Sequence, residues 1–502
     1  MHLKKNILAN YLGQGWTALM GLAFIPLYIK YLGIEAYGLI GVFAMLQAWM
    51  VMLDMGMTPT LSREMARYSA GARSAESILD LLRSFEWICV GLAMLVVIFV
   101  WFLAPLLSNS WLKVETLPVD TVIQAVSVMG FVIAARLWEE VYRGVIRGMQ
   151  RQVWLNGAQA VLATLRWGGV LGVLIWVSPT IQAFFMWQAF VSIIGVVIYA
   201  YQTYLWLPDC YRGGKFSLNA IKGIGHFAGG MAVITLLALM LTQVDKLLLS
   251  GLLSLEQFGY YVLASVVAGG VAQLVVPMNA AIYPRFTELV AHKDEAALVK
   301  TYHNTCQLMS AVVIPPALVL SAFASPVMLL WTGDDALTAS VAPLLSLLVL
   351  GTLFNGLVNV PYMLQLAYGW TGFAVWVNIV AVTIIIPAIL WVVPRYGAEG
   401  AAWIWVALNA GYLLIAIHFM YRRLLSSQKW RWYREAIAGP LVVGAIVAFG
   451  LAFVMPVPQG RLDIAVMLGF VSICVVLSVI LVLPSLRQRI INLLSSISKI
   501  TT

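Results

Sequence analysis

The chain has 502 residues, of which 62% are hydrophobic and 10% are charged, and its mean hydropathy is +0.92. A soluble domain is about 25% charged, so this composition excludes a soluble globular protein. The apolar residues form runs long enough for helices that cross ~30 Å of hydrocarbon, and they lack the short alternating segments of a transmembrane barrel. The sequence therefore predicts an all-α polytopic membrane protein.

Hydropathy predicts fourteen transmembrane helices, with both termini in the cytoplasm. The net charge of +9 does not indicate nucleic-acid binding, because the basic residues follow the topology. The predicted cytoplasmic connections and tails hold 22 Lys and Arg residues, whereas the opposite side of the membrane holds four, counting Lys30 at the outer end of span 1. This asymmetry is the positive-inside signal. The predicted spans are 11–32, 38–59, 86–107, 122–146, 154–177, 180–205, 226–251, 259–282, 305–330, 341–366, 371–393, 397–420, 437–456 and 463–484.

Span 2 carries a carboxylate, Asp54, in its predicted cytoplasmic third. An intramembrane carboxylate can exchange a proton as a cavity opens to either side, so Asp54 is a candidate site for a coupling ion, H⁺ or Na⁺. The connection that follows, residues 61–85, mixes four arginines with three acidic residues. We expect it to form an amphipathic helix on the membrane surface.

The most unusual stretch is residues 136–151, which carries six charges directly after an apolar run. Because an α-helix rises about 1.5 Å per residue, Arg136 lies roughly 16 Å deeper than Arg147. An ionised side chain at such depth costs at least ~2.5 kcal/mol, so it should face a wet cavity or a partner. The stretch is either a charge ladder that locks helices together or a charged wall along a substrate path. Glu139 lies beside Arg143, four residues later on the helix. Four charged residues share one helical face: Arg136, Glu140, Arg143 and Arg147.

Span 5 places Arg166 near the middle of the membrane, with no acidic residue three or four positions away. Its partner must come from another helix, and span 4 could provide Glu139 or Glu140. Most tryptophans are explained by an interfacial belt. Trp138 and Trp167 each lie within two residues of a buried arginine, so they are candidates for stacking on sugars.

Span 7 carries Asp245 and Lys246, and Asp245 is a second candidate coupling-ion site, with an ion pair to a neighbouring helix as the alternative. The four cysteines have no paired or metal-ligand spacing, and the chain has no P-loop. The sequence therefore predicts no metal, no cofactor and no ATP hydrolysis.

An internal repeat appears at an offset of 221 residues. Residues 32–38 (LGIEAYG) align with residues 253–259 (LSLEQFG), and each segment joins the first and second helices of its half. An offset of six spans gives parallel repeats, as in transporters built from two lobes. We therefore predict an N-terminal lobe (residues 1–222), a C-terminal lobe (223–425), and two further helices with the C-terminal tail (426–502).

Several motifs resemble those of bacterial polysaccharide exporters. They are Asn10-Tyr followed by Pro26-Leu-Tyr, the 31–38 segment, the 142–151 segment, Asp245-Lys with the 258–261 segment, and the 396–402 segment. The chain resembles Wzx-type O-antigen flippases of the multidrug/oligosaccharidyl-lipid/polysaccharide (MOP) exporter superfamily. Many Wzx-type proteins are described with twelve spans, whereas fourteen resembles the lipid II flippase.

The resemblance implies a flippase in the bacterial inner membrane that moves an undecaprenyl-pyrophosphate-linked oligosaccharide to the periplasmic leaflet by alternating access, coupled to an ion gradient or membrane potential. It implies membrane lipids and other polysaccharide-assembly membrane proteins as partners, and no nucleic acid. Arginine binds phosphate oxygens bidentately and stays protonated, which favours head-group contacts at membrane depth. The candidate substrate-binding residues are Arg136, Arg143, Arg166, Glu139, Glu140, Trp138 and Trp167, and the candidate ion-coupling residues are Asp54, Asp245 and Lys246.

Two alternatives remain open. A membrane-embedded polysaccharide polymerase or ligase would resemble enzymes that carry a large periplasmic loop, and the predicted outer connections are short. A multidrug exporter of the same superfamily would be expected to favour acidic residues in its cavity, whereas this chain offers at least as many arginines.

Overall fold

The computed structural model describes residues 2–54, 56–69, 71–72, 74–207, 214–217, 239–240 and 243–488. Regular secondary structure in these ranges is helical, apart from one isolated β-bridge between Lys113 and Ser254. The prediction of an all-α polytopic membrane protein is confirmed. Cys210 and most of predicted span 7 lie outside these ranges.

The chain divides into two compact units, Met1–Gly259 and Tyr260–Thr502. The predicted division into lobes at residues 222 and 425 stays a prediction. The first unit contains α1 (His2–Ala23), α2 (Ile25–Leu32), α3 (Ile34–Leu53), α4 (Met57–Ser69), α5 (Ala75–Leu106), α6 (Val119–Gly148), α7 (Gln152–Ala163), α8 (Gly169–Trp176), α9 (Ile181–Trp206), helical residues 243–252 and the first residues of α10 (Leu255–Gln273). The second contains the rest of α10, then α11 (Val275–Ala291), α12 (Glu295–Ala322), α13 (Ala324–Thr332), α14 (Asp335–Ala367), α15 (Thr371–Gly411), α16 (Ile417–Arg423), α17 (Lys429–Trp432), α18 (Gly439–Val454) and α19 (Arg461–Val482).

Eleven helical segments within the described residues are long and apolar enough to cross a membrane, so the count of fourteen is not confirmed. The shorter apolar helix Ile34–Met50 is not among them. The segment Thr371–Arg423 counts once, although at Gly397 the backbone leaves the helical region, with φ 58° and ψ −147°. Only glycine adopts this conformation readily, and it separates two helices where two spans were predicted.

Helix α6 is the central helix of the first unit and packs against α3, α4, α5 and α9. Gly144 and Gly148, one turn apart, let α4 approach closely. A Cβ atom at Gly148 would lie 2.4 Å from the Ser62 carbonyl oxygen and 2.7 Å from the Met65 Cβ atom. The amphipathic helix predicted after span 2 is therefore present as α4, but its apolar face packs on α6 rather than on lipid.

In the second unit, α12 and α14 are the most buried spans, and α18 and α19 pack against α12. Buried Gln307 on α12 accepts hydrogen bonds from the Ser485 backbone N–H (2.8 Å) and hydroxyl (2.6 Å), and donates one to Glu435 (3.2 Å). The C-terminal helices are thus joined to the second unit by polar contacts as well as apolar packing.

An amide chain also links three helices of the second unit. Asn279 donates to Asn359 (2.8 Å), Asn359 donates to the carbonyl of Asn355 (2.8 Å), and Asn355 donates to buried Asn409 (2.9 Å). These side chains lie on α11, α14 and α15. These asparagines therefore serve packing between helices, through neutral groups.

We expect Gly148→Ala to lower the free energy of unfolding by about 1–3 kcal/mol, because the added methyl group overlaps α4. Gly157→Ala on α7 is the control, since no atom lies within 4 Å of its Cβ position. That change should be neutral or slightly stabilising. Thermal unfolding in detergent measures both variants, and equal stability of the two would contradict the close α4–α6 packing.

Candidate functional site

Arg136 is buried in the middle of the first unit, at 6% exposure. Its guanidinium donates to the side-chain oxygens of Gln47 on α3 and Gln188 on α9, the latter at 2.8 Å. It also lies over the ring of Phe43, 5.1 Å from the ring centroid. No carboxylate forms an ion pair with Arg136 among the described residues, although Glu139 and Arg166 are close enough to act on it electrostatically. Its hydrogen-bond partners are neutral amides.

Arg166 forms an ion pair with Glu139, which is 2% exposed. The prediction that the partner of Arg166 comes from span 4 is confirmed, and the partner is Glu139. Arg166 lies in a π-helical turn, Thr164–Gly168, between α7 and α8. Such a turn holds one more residue than an α-helical turn and so changes the direction in which its side chains point. Glu139 on α6 points towards this turn and α9. Its spacing in the sequence had predicted a position beside Arg143.

Gly195 on α9 makes room for this ion pair. A Cβ atom at Gly195 would lie 2.3 Å from the Glu139 carboxylate oxygen and 3.4 Å from an Arg166 nitrogen. The backbone carbonyl of Arg166 accepts a hydrogen bond from Gln188 at 3.1 Å. Gln188 thus connects the two arginines, since its own oxygen accepts from Arg136.

Arg143 pairs with Glu140, one turn earlier on α6. Both side chains are partly exposed, at 24% and 31%. The amide of Gln159 on α7, turned with its oxygen towards Arg143, accepts a second hydrogen bond from that guanidinium, 2.8 Å from Nε. Arg143 is therefore neutralised by Glu140, as a structural ladder requires.

A cavity of about 380 Å³ lies in the first unit between α3, α4 and α6. Gln47 lines the cavity and accepts a hydrogen bond from Arg136, which is not itself a lining residue. The lining residues are Gln47, Met50, Asp54, Gly56, Thr58, Pro59, Leu137 and Glu140.

The candidate ion-coupling residues occupy different environments. Asp54 caps the start of α4, accepting the Thr58 backbone N–H (3.1 Å) and hydroxyl (2.6 Å). The Oδ1 atom of Asp245 is buried and has no hydrogen-bond partner within the described ranges. No hydrogen bond or ion pair between described residues joins Asp245 or Lys246 to the arginines of α6 and the π turn.

Trp138 and Trp167 are both half-buried. Trp167 lies in the π turn, and its carbonyl accepts a hydrogen bond from the Tyr28 hydroxyl. A role of either ring in sugar stacking stays a prediction.

Sequence reasoning missed a polar cluster around the Glu86 carboxylate on α5. Buried Glu86 accepts hydrogen bonds from Tyr142 (2.8 Å) and Tyr204, and pairs with Arg83 at 2.8 Å. The Arg83–Glu86 spacing of three residues signals a helical pair, but nothing in the pattern identifies two tyrosines from other helices. Gln47 and Gln188 were also missed, because single glutamines in apolar runs carry no periodic signal.

Comparisons with known proteins agree with this architecture. The profile of the family described as "Polysaccharide biosynthesis protein" matches residues 3–290, more than half of the chain. A Shigella flexneri protein assigned as an O-antigen transporter is 20% identical over 431 residues, 85% of this chain and 99% of that protein. An inward-facing multidrug resistance transporter of the MATE family aligns with a TM-score of 0.66 at 15% identity, over 83% of this chain and 96% of its own. The lipid II flippase MurJ, in an inward closed conformation, aligns with a TM-score of 0.66 at 12% identity, over 94% and 97%. The chain therefore has the fold of MOP-superfamily transporters.

We expect Glu139→Ala to lower the free energy of unfolding by about 3–5 kcal/mol, because it leaves the Arg166 guanidinium buried without a counter-charge. The double variant Glu139→Ala/Arg166→Ala should recover much of this loss. Glu140→Ala is the matched control and should change stability by about 0–1 kcal/mol, since its pair is partly exposed. Denaturant unfolding in detergent gives the values, and equal effects of the two glutamate variants would contradict the assignment.

Proposed function

Because the chain belongs to the polysaccharide biosynthesis protein family, we propose that it is a flippase for undecaprenyl-pyrophosphate-linked oligosaccharide. The resemblance to the MOP exporter superfamily that the sequence predicted is confirmed. The substrate would be an O-antigen or similar repeat unit, moved from the cytoplasmic to the periplasmic leaflet by alternating access. The protein would lie in the bacterial inner membrane, with both termini in the cytoplasm. The name of the Shigella relative and the MurJ fold support this assignment.

The observation that carries the proposal is the buried, uncompensated charge of Arg136. A structural ladder would pair each arginine with a carboxylate, as Glu139 does for Arg166 and Glu140 for Arg143. Within the described ranges Arg136 forms hydrogen bonds only to amides, and one of these amides, Gln47, lines a cavity. Rotation of Gln47 would present the guanidinium to an anion there. A pyrophosphate diester carries two negative charges and fits the bidentate geometry of arginine.

The remaining candidates then take supporting roles. Arg166 would supply a second cation to the same region when an anion displaces Glu139 from it. Arg143, partly exposed and paired with Glu140, would make the head-group contact nearest the cytoplasm. Trp138 and Trp167 would offer stacking faces for sugar rings.

A multidrug exporter is the second candidate, and a specific observation favours it. Two carboxylates, Asp54 and Glu140, line the cavity, and such groups suit cationic compounds. Asp54, however, is engaged by Thr58, and Glu140 is neutralised by Arg143. Flipping of a lipid-linked oligosaccharide by the purified protein in vesicles, compared with uptake of a cationic dye, discriminates between the two functions.

We expect Arg136→Ala to reduce flipping by ten- to a hundredfold, the loss of a charge-assisted hydrogen bond worth about 1.5–3 kcal/mol. Arg136→Lys should recover only part, because an ammonium group cannot make the two-pronged contact. Arg285→Ala is the control and should flip normally, because Arg285 and its partner Glu288 are 50% and 52% exposed. Expression-normalised O-antigen export and flipping in vesicles measure these rates. Full transport by Arg136→Ala/Glu140→Ala would refute the substrate role.

We further propose Asp245 as the coupling-ion site, because its buried Oδ1 atom has no partner in the described part of the chain. Asp245→Asn should remove the dependence of transport on pH or sodium. Asp54→Asn should keep that dependence, since Thr58 holds Asp54 as a helix cap. Transport rates measured across a series of imposed proton and sodium gradients separate the variants. An Asp245→Asn protein with an unchanged gradient response would exclude this site.

A further inference from the structure

The two segments of the internal repeat touch each other inside the first unit. A Cβ atom at Gly38 would lie 2.2 Å from the carbonyl oxygen of Leu255. A Cβ atom at Gly259 would lie 2.7 Å from the carbonyl oxygen of Ile34. The backbones of α3 and α10 therefore approach so closely that neither position has room for a side chain. We call this contact, made by Ile34, Gly38, Leu255 and Gly259, the repeat crossing.

The repeat crossing is reciprocal. At the repeat offset of 221, Gly38 corresponds to Gly259 and Ile34 corresponds to Leu255. Gly38 faces the carbonyl group of Leu255, and Gly259 faces the carbonyl group of Ile34, which is the equivalent position in the other repeat. A contact in which the same two positions meet from both sides is what a two-fold axis produces. The alignment of segments 32–38 and 253–259 is therefore matched by a symmetric contact in space.

The connection between α5 and α6 encloses the repeat crossing. The Glu35 carboxylate, which is 5% exposed, accepts the backbone N–H groups of Thr116 and Leu117, both at 2.9 Å. Lys113 accepts the Leu255 N–H at 2.9 Å and donates from Nζ to the Leu252 carbonyl at 2.7 Å. The three segments that meet here are 32–38, 107–117 and 252–259, and the topology prediction places all three outside the membrane on one side.

We infer that the repeat crossing is the outer gate of the transport path, closed in this structure and open when substrate leaves to the periplasmic side. This inference rests on the proposed flippase function. The closest approaches between the two repeat segments are to backbone carbonyl oxygens, beside the buried side chain of Leu255. Gly33, with φ +84°, separates α2 from α3 and provides a break at which α3 can pivot.

A reversible cross-link tests the gate. Lys113 and Ser254 are paired in a β-bridge, and such partners lie within the roughly 4.4–6.8 Å Cα separation of a disulfide. In a chain whose four native cysteines are alanine, Lys113→Cys/Ser254→Cys should cross-link under mild oxidation. Cross-linking should lower the rate of flipping in vesicles at least tenfold, and reduction with dithiothreitol should restore that rate. Undiminished flipping by the fully cross-linked protein would overturn the inference.

The glycines supply a test that does not depend on transport. Gly38→Ala and Gly259→Ala, each added to the cysteine pair, should slow cross-linking by similar factors of at least five, because each methyl group blocks an equivalent carbonyl. Gly269→Ala is the control on α10, since no atom lies within 4 Å of its Cβ position. Cross-linking at the control rate in both glycine variants would overturn the gate. The outcome could also be mixed: the glycine variants cross-link slowly, but the cysteine-pair protein flips no lipid-linked oligosaccharide even before oxidation. That result would uphold the repeat crossing and refute the proposed substrate.

Discussion

An ionised group inside a membrane protein must find a partner, and this constraint organises the first unit. Arg136, Glu139 and Arg166 lie at membrane depth, where an unsatisfied charge is expensive. The surrounding structure answers with three devices: glutamines on α3 and α9, a π turn that redirects Arg166, and a glycine on α9 that admits the Glu139 pair. Two of the three charges are neutralised by each other. The third, Arg136, has only glutamine amides as hydrogen-bond partners within the described ranges, and that difference distinguishes the main candidate binding group from the paired arginines.

Much of the fold follows from hydropathy and charge, whereas the site depends on details that patterns do not carry. Apolar runs predicted the helices, and the depth of Arg166 predicted a partner on span 4. The choice of Glu139 over Glu140 depended on the π turn, which no periodicity reveals. The role of Asp54 could not have been recognised from its spacing, because Thr58 lies four residues later, whereas an N-cap side chain bonds the N–H two or three residues later. The number of spans stayed unsettled because helices broken at Gly397 read as one segment and part of the chain lies outside the described ranges.

The two units handle polarity differently. The first contains buried ion pairs and the Arg136 guanidinium, whereas the described interior of the second contains an asparagine chain across α11, α14 and α15. Amides offer directional hydrogen bonds without a charge, so they hold helices in register without attracting an anion. The charged half is the one suited to a phosphate group.

The symmetry of the repeat crossing also has a consequence for how the chain originated. If the two repeats descend from one duplicated gene, the ancestral half-length protein would have carried one glycine and one carbonyl of this kind. Two identical copies, side by side in the same orientation, would have met through the same reciprocal pair. Gly38 and Gly259 would then preserve the interface of a homodimer, made permanent when the two copies became a single polypeptide. Since fusion, a mutation at either glycine affects a contact whose other half it cannot change, so the two positions would be retained together.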